Sequence, residues 1–377
     1  MTKVLVVAMA DSVHTGRWLS QFDGEAIEFM LFPSTPHRRI HPLIQQRLSQ
    51  GSETQLNISQ WMKFAGLPLG IADLVFGNFF RGKLLSREID KFKPDVIHIM
   101  ETQHAGYLTD KALGSTQTKP TVILSIWGSD LFWYRRFAKH HQRLSSLFPK
   151  IDFLITECRR DEGFAREFGF FNKCIYGIPA SGGVVSQLSK DSSQWLVPSL
   201  RKIIAIKGYS GFVGLGPFAI KALVSLVEEL KNFEIVIYSC SYKTQRLARK
   251  FHKQTGLNIK IFAKHALTAE QMEELFRKSR VVVGVSLSDG LPATIKEAIS
   301  TGAFPVQTDT SCAEEWLEDG VSALLIPPDD SVRLSDAILR ALTDNQLVDN
   351  AAQLNLQIAK TRMDSVFIRK QLLEIYG

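Results

Sequence analysis

The sequence predicts an α/β protein with two doubly wound domains, each a parallel sheet covered by helices. Short runs rich in β-branched residues alternate with helical segments along the chain, as parallel βαβ units require. With 377 residues, the chain is long for one core and suits two domains. A polar, irregular stretch over residues 183–201 separates the two series of strands and is predicted to be the linker.

The first predicted domain, residues 1–182, contains six runs that favour strands: Lys3–Ala8, Ile27–Phe32, Pro94–Ile99, Thr121–Ile126, Lys150–Ile155 and Cys174–Ile178. Ligands of such sheets bind beyond the carboxyl ends of the strands. The loops after the first, third and fourth runs carry the candidate residues of this domain: His14, Gly16, Arg17, Glu101, His104, Trp127 and Asp130. We expect these residues to face a ligand.

The second predicted domain, residues 202–355, has five such runs: Lys202–Ile206, Glu234–Ser239, Ile259–Ala263, Val281–Val285 and Ala303–Thr308. Lys207 and Gly208 follow the first run, where a cation and a glycine suit phosphate. Thr268 with Gln271 predicts a helix capping box. Residues 356–377 have the periodicity of a last helix.

The richest stretch is a predicted strand, a loop over Ser286–Gly290 and a helix from about Pro292 to Ser300. Proline suits the first turn of a helix, and the free amides of that turn favour phosphate. Those amides belong to residues around Gly290, Leu291 and Ala293. Carboxylates beside such amides, here Asp289 and Glu297, make sense as acceptors of hydrogen bonds from sugar hydroxyls. The stretch therefore predicts a nucleotide-sugar site.

This stretch resembles the donor-binding motif of retaining GT-B glycosyltransferases of the family-4 type. That motif is Glu-x7-Glu, a small-Gly-x-Pro-Val turn, another Glu and then Asp-Gly. The matching elements are Asp289, Glu297, Thr301–Val306, Glu315 and Asp319-Gly320. Asp289 stands where the family has Glu, and Ser311-Cys312 replaces its usual Gly-Gly. The Trp127–Asp130 stretch, WGSD, resembles a bacterial branch that has Trp in place of the usual His.

The resemblance implies a GT-B fold, two Rossmann-like domains facing a cleft, with the helix of residues 356–377 crossing back to the first domain. It implies a metal-independent hexosyltransferase that retains anomeric configuration, uses a nucleotide-diphosphate sugar and needs no cofactor. The implied catalytic residues are Asp289 and Asp130. The implied donor-binding residues are Lys207, Gly208, His265, Gly290, Leu291, Pro292, Ala293, Thr294 and Glu297. The acceptor side would use His14, Gly16, Arg17, Glu101, His104 and Trp127. The acceptor would be a glycan or lipid-linked sugar of bacterial cell-surface polysaccharide or glycolipid synthesis.

The net charge of +7 suits an anionic partner, either a nucleotide donor or a membrane surface. Nucleic acid is not expected, because the basic residues are scattered. The apolar segment Phe64–Leu85 has two interpretations: a helix pair that covers the sheet, or an interfacial segment in which Phe76, Phe79 and Phe80 enter lipid. Without a visible signal peptide or an apolar span, we expect a cytoplasmic protein, free or at the inner face of the membrane.

Two other functions stay open at this point. The loop after Lys202–Ile206 lacks the arginine that the family has there. Together with Trp127 and Asp289, this loss is compatible with a non-catalytic GT-B subunit that binds a sugar or a partner enzyme. A nucleotide-sugar epimerase of the same two-domain shape is the third hypothesis.

Overall fold

The structure, a computed structural model, describes residues 1–36, 39–49, 53–184 and 195–377, except for the side chains of residues 62–67 and 74. It divides into two compact units, residues 1–183 with 365–377, and residues 184–364. Of the predicted linker, residues 183–201, the middle part, residues 185–194, lies outside the described residues.

The described part of the first unit contains a seven-stranded parallel sheet. Its strands are β1 (Thr2–Ala8), β2 (Ile27–Pro33), β3 (Gln55–Ile58), β4 (Val96–Met100), β5 (Thr121–Ser125), β6 (Phe153–Thr156) and β7 (Lys173–Tyr176). They pair in the order β3-β2-β1-β4-β5-β6-β7. Val4 to Val7 of the central strand β1 have no exposed surface, as expected for a parallel sheet with helices on both faces.

The helices of this unit that precede the second unit in the chain are α1 (Val13–Ser20), α2 (Pro42–Ser49), α3 (Trp61–Phe76), α4 (Phe79–Phe92), α5 (Tyr107–Leu113), α6 (Ser129–Phe132), α7 (Ala138–Leu147) and α8 (Arg159–Glu167). A single π-helical turn, Thr102–Gly106, joins β4 to α5. Alternate residues of β1 pack on opposite layers. Leu5 contributes to the same apolar core as Leu108 of α5, whereas Val6 contributes to the core that contains Trp18 of α1.

The apolar segment Phe64–Leu85 lies within a pair of helices, α3 and α4. Helix α3 continues through Pro68, and the break falls at Gly77 and Asn78, which have φ of 59° and 66°. The pair nevertheless leaves apolar side chains in solvent: Ile71, Val75, Phe76, Phe79 and Phe80. Among the described residues, no helix has the length and apolar character needed to cross a membrane.

The second unit contains a six-stranded parallel sheet over its described residues. The strands are β8 (Ile203–Lys207), β9 (Glu234–Cys240), β10 (Ile259–Ala263), β11 (Ser279–Gly284), β12 (Phe304–Thr308) and β13 (Leu324–Ile326), in the order β10-β9-β8-β11-β12-β13. Its helices are α9 (Gly216–Ala222), α10 (Val227–Leu230), α11 (Tyr242–Thr255), α12 (Ala269–Lys278), α13 (Ala293–Ser300), α14 (Ser331–Thr343) and α15 (Asn345–Arg362). The predicted capping box of Thr268 and Gln271 begins α12.

The end of the chain is divided between the units. Residues 356–362, predicted to belong to the last helix, complete α15 of the second unit instead. The chain then pairs with Val184, whose amide donates to the carbonyl of Met363 at 2.7 Å. The last helix, α16 (Ser365–Tyr376), belongs to the first unit.

A buried hydrogen-bonded chain attaches α16 to the first sheet. The hydroxyl of Tyr376 lies 3.2 Å from Trp18 Nε1 and 2.6 Å from His98 Nδ1, and His98 Nε2 lies 2.7 Å from Ser125 Oγ. An indole N–H only donates, so Trp18 donates to Tyr376, which donates to His98 Nδ1. Nε2–H then donates to Ser125. Burial lowers the pKa of His98 to about 3, which keeps the imidazole neutral.

The prediction of two doubly wound parallel-sheet domains is confirmed. Two strands were not predicted, β3 and β13, and both lie at an edge of their sheet. They are only four and three residues long.

Candidate active site

In the second unit, the strand order reverses between β8 and β11, which pair directly. Ligands of open α/β sheets bind at such a switch point, beyond the carboxyl ends of the strands. Lys207 ends β8, and Asp289 lies in the loop after β11. The structure brings these two predicted residues together, with Lys207 Nζ 4.0 Å from Asp289 Oδ2. Both side chains are about 30% exposed, at 29% and 30%, so a ligand can reach them.

Asp289 is oriented by its own loop. The amide of Gly290 donates to Asp289 Oδ1 at 3.0 Å, and the carbonyl of Gly290 accepts from the amide of Cys312 at 3.0 Å. The carboxylate is thereby held at the start of the helix, on a loop that is tied to the segment after β12.

The predicted helix after this loop is α13, and Pro292 is its N-cap residue rather than a member of its first turn. No side chain caps the helix, so its first amides keep their capacity to bind an anion. These amides belong to Ala293 and Thr294, next to the buried residues Gly290, Leu291 and Pro292.

Glu297 lies one turn into α13, near a buried tyrosine that the sequence did not reveal as part of the site. Tyr238 of β9 donates its hydroxyl to Thr294 Oγ1 at 3.1 Å. Burial raises the pKa of Tyr238, and the charge of Glu297 raises it further. Tyr238 therefore stays a neutral donor that fixes the first turn of α13 against the sheet.

Gly208 and His265 differ from the expectation. The amide of Gly208, predicted to approach phosphate, donates to the carbonyl of Tyr238 at 2.7 Å and is therefore occupied. Glycine is required there because a Cβ would lie 2.4 Å from Cys240 Sγ. His265 follows β10, the edge strand, and β9 lies between β10 and β8. Its side chain is exposed and its φ is 64°.

A polar cluster at the end of β12 also escaped sequence reasoning. Thr308 Oγ1 accepts from the amide of Ser286 at 3.1 Å and donates to its carbonyl at 2.9 Å, and Thr310 Oγ1 donates to the same carbonyl at 2.5 Å. Ser286 Oγ is buried without a hydrogen-bond partner among the described residues. The run Thr308-Asp309-Thr310 directly after a strand was the available signal.

In the first unit, the predicted residues follow β1, β4 and β5, three adjacent strands around the switch point between β1 and β4. Glu101 directly follows β4 and has φ of 80°, a costly conformation for a residue with a side chain. Its carboxylate accepts from the amides of Gln103, His104 and Ala105 at 3.0, 2.5 and 2.7 Å. Glu101 therefore shapes the π-helical turn that follows it.

Asp130 is a buried neighbour of this turn. Its Oδ1 accepts from the amide of Trp127 at 2.9 Å, and its Oδ2 accepts from the amide and hydroxyl of Thr102 at 3.0 and 2.9 Å. Burial raises the pKa of Asp130 to about 8, with a further contribution from Glu101, and burial raises the pKa of Glu101 to about 7. The carboxylate connects the loops after β4 and β5, and its role in transfer stays a prediction.

The remaining residues of this group, apart from Gly16, are at least partly accessible. The rings of His14 and Trp127 lie 5.1 Å apart, and Trp127 Nε1 has no hydrogen-bond partner within the described ranges. Gly16 is buried in α1, where a Cβ would lie 3.0 Å from His41 Nδ1. Arg17 is half-buried and His104 is exposed.

Residues 3–156 match the family model described as "Glycosyl transferase 4-like", and residues 216–344 match "Glycosyl transferases group 1". No curated protein matches the sequence.

Solved structures share the fold over the whole chain. HepE of Anabaena in complex with UDP-glucose is 15% identical, with a TM-score of 0.70 and coverage of 100% of this chain and 99% of HepE. A glycosyltransferase of Rickettsia africae is 14% identical, with a TM-score of 0.70 and coverage of 100% and 97%. An α,α-trehalose-6-phosphate synthase of Burkholderia multivorans is 13% identical, with a TM-score of 0.72 and coverage of 100% and 98%.

Both matched family segments are glycosyltransferase segments, and together they cover most of the chain, one in each unit. The two parallel sheets are those of the GT-B fold. The chain is therefore a glycosyltransferase of the two-domain GT-B type.

Proposed function

We propose that this chain transfers a hexose from a nucleotide-diphosphate sugar, bound by the second unit, to a glycan or lipid-linked acceptor bound by the first. The observation that carries this proposal is the meeting of Lys207, Asp289 and the start of α13 at the switch point of the second sheet. A cation and uncapped helix amides fit a diphosphate, and a carboxylate beside them fits sugar hydroxyls. HepE, which shares the fold, was crystallised with UDP-glucose and with UDP.

The same residues suggest how the transfer proceeds. Lys207 and the amides of Ala293 and Thr294 stabilise the negative charge that develops on the leaving diphosphate. The acceptor hydroxyl attacks the sugar carbon from the face that the diphosphate leaves, so the configuration is retained. The bond from that carbon to the diphosphate breaks, a bond to the acceptor oxygen forms, and the departing phosphate oxygen takes the acceptor proton. No metal or cofactor is part of this proposal.

On the acceptor side, we assign contact with substrate to His14, Arg17 and Trp127, which are partly accessible. Glu101 and Asp130 are positioning residues, because their carboxylates are engaged by the turns that they hold. The acceptor belongs to bacterial cell-surface polysaccharide or glycolipid synthesis.

The donor is tested first with the purified full chain. UDP-glucose, UDP-galactose and GDP-mannose are offered singly, with nucleotide release and the melting temperature as readouts, each with and without EDTA. We expect one donor to stabilise the protein and to be hydrolysed slowly, equally in EDTA. If no nucleotide raises the melting temperature, the proposal fails. Formation of an epimer without acceptor would indicate the epimerase.

Variants then test the site. Asp289→Ala and Glu297→Ala should each lower turnover by at least about 100-fold. The exposed pair of Lys207 and Asp289 contributes at most about 1 kcal/mol, so the melting temperature should change little. Glu228→Ala is the matched control, since the only ion pair of Glu228 among the described residues is with Lys231, on the surface of the same unit. Equal activity in all three variants would refute the assignment.

We also propose that the first unit contacts an anionic membrane surface at the inner face of the membrane. Phe76 is 60% exposed and Phe79 is 48% exposed, and Lys83 Nζ lies 4.5 Å from the Phe79 ring. Exposed apolar side chains beside a cation are typical of interfacial binding. Phe76→Ser with Phe79→Ser should abolish sedimentation with phosphatidylglycerol vesicles, whereas phosphatidylcholine vesicles should bind weakly throughout. Unchanged sedimentation would exclude this surface.

A further inference from the structure

The second unit also contains a cleft that is lined by other residues than the candidate donor residues. It lies between α9 and α11 below the loop that follows β8, and its volume is about 830 Å³. We call it the α9–α11 cleft. Small-molecule sites commonly have volumes of about 300–1,000 Å³. No residue proposed to bind the donor lines it.

Four cations line the α9–α11 cleft: Lys221, Lys243, Arg246 and Lys250. None of the described lining residues is acidic. None of the four cations has an ion pair or hydrogen bond within the described part of the chain, whereas Lys231, Lys260 and Arg340 of the same unit pair with acids. The cleft is therefore a concave region of uncompensated positive charge, which concentrates anions.

The sequence of α11 also indicates that the α9–α11 cleft attracts anions. The helix, YKTQRLARKFHKQT, contains five lysines and arginines and no acid. Like charges three or four residues apart on a helix repel one another, so an anion bound along this face would relieve an unfavourable arrangement. Lys243 and Lys250 are seven residues apart, or about 10 Å along the helix. A ligand with two separated anionic groups matches the length of this face better than a single phosphate does.

The rest of the lining indicates the framework of the ligand. Phe218 and Leu247 supply apolar surface, and the ring of Tyr242 is 73% exposed at the start of α11. An aromatic ring with a polar tip matches the apolar face and the hydroxyls of a sugar ring. The hydroxyl of Ser210 also lines the cleft. Cations around an apolar and aromatic surface suit an anionic sugar better than an inorganic ion.

We propose that the α9–α11 cleft binds a carbohydrate that carries two or more anionic groups. Such a ligand has two sources, a free sugar phosphate or a segment of an acidic glycan. The loop that forms part of the cleft also borders the candidate donor loop, since the carbonyl of Val213 accepts from the amide of Leu287 at 2.8 Å. A ligand bound in the cleft would contact a loop that is hydrogen-bonded to the candidate donor loop, so we expect it to change the affinity for the donor.

Calorimetric titration of the full chain tests the proposal. The probes are glucose 1,6-bisphosphate, a galacturonic acid tetrasaccharide, neutral maltotetraose and inorganic phosphate. We expect one or both anionic carbohydrates to bind, with affinity that falls as salt is added, and the other two probes to bind much more weakly. Binding of the bisphosphate alone identifies a free sugar phosphate as the ligand, and binding of the tetrasaccharide alone identifies a segment of an acidic glycan. Equal binding of maltotetraose, or no binding of either anionic sugar, overturns the proposal.

A matched pair of double variants separates the cleft from general charge. Arg246→Ala with Lys250→Ala removes one arginine and one lysine from the cleft. Arg249→Ala with Lys253→Ala removes the same charges from residues of α11 that do not line it. The first pair should weaken binding by at least about 30-fold, since two charge-assisted contacts are lost, and the second by less than about twofold. Equal loss in both pairs overturns the proposal.

A UDP titration distinguishes this site from the donor site. The cleft variant should bind UDP as well as the wild type does when no anionic sugar is present. If the cleft variant loses UDP binding and sugar binding to the same degree, the cleft is part of the donor site and the proposal is wrong. If the wild type binds the anionic sugar but no nucleotide, the proposed function fails and the cleft stands.

Discussion

Replacing Tyr376 by phenylalanine should destabilise the first unit, although Tyr376 is the penultimate residue of the chain. The ring would keep its contacts with Phe22 and Phe29, at centroid distances of 5.3 and 6.3 Å. Only the hydroxyl is lost, and with it the partner of Trp18 Nε1 and of His98 Nδ1. A buried polar group left unsatisfied costs about 1–3 kcal/mol, so two of them, taken at about 1–2 kcal/mol each, should cost about 2–4 kcal/mol.

Hydrogen exchange followed by mass spectrometry measures this loss where it occurs. A loss of about 2–4 kcal/mol in the local opening free energy corresponds to exchange about 30-fold to 1,000-fold faster. We expect this change in peptides of β4 and α16, which the hydroxyl joins. Peptides from the second unit should exchange as in the wild type.

Tyr176→Phe is the matched control in the same unit. Tyr176 is 43% exposed, and its hydroxyl has no hydrogen bond to any described residue. This variant should therefore leave exchange unchanged. If Tyr376→Phe and Tyr176→Phe exchange alike, the buried chain of hydrogen bonds does not hold α16, and the reasoning is refuted.

Three further predictions concern other parts of the molecule. Burial raises the pKa of Asp130 to about 8, so the folded state keeps a proton that the unfolded state releases. Asp130 should therefore make the stability of the first unit fall as the pH rises from about 4 to 8, and Asp130→Asn should flatten this slope in urea unfolding; an unchanged slope would exclude Asp130 as its source. Gly216→Ala should destabilise by about 1–3 kcal/mol, because its Cβ would lie 2.6 Å from backbone atoms of Gly208. Gly163→Ala, in helix α8 with nothing near its Cβ, should instead stabilise by up to about 1 kcal/mol; melting temperatures in the reverse order would contradict this. Thr308→Val should cost about 1–3 kcal/mol by leaving the buried amide of Ser286 unpaired, since the Ser286 carbonyl keeps Thr310, whereas Ser286→Ala should be neutral or stabilising in the same unfolding assay.

Much of the fold could be predicted because buried parallel strands leave a strong local signal. Runs such as Val281–Val283 are apolar at every position, and both sheets are built around runs of this kind. The edge strand β3 shows alternating exposure instead, and its four residues include Gln55 and Asn57. The division between α15 and α16 depends on pairing of Val184 with Asp364, a contact between residues distant in sequence. Helical periodicity that continues from 356 to 376 could not show it.

For the candidate site too, the positions of single residues could be predicted, but the contacts between them could not. Lys207 and Asp289 could each be placed at a strand end, but their proximity depends on β8 pairing with β11. The local sequence of a strand does not determine which strand it pairs with. The role of Gly208 depends on Cys240 of the next strand, which occupies the space where a side chain would lie. Asp130 was expected to face substrate, and its partner Thr102 comes from a separate loop. Long-range packing therefore decides which polar residues serve the fold.

The position of α16 has a consequence for synthesis. The helix is synthesised after the whole second unit, yet it completes a core that begins with β1 and α1. Domains generally fold in the order in which they are made. We expect this chain to reverse that order, with the second unit finishing first. Trp18, Phe22 and His98 would remain without their partner Tyr376 until α16 has been synthesised.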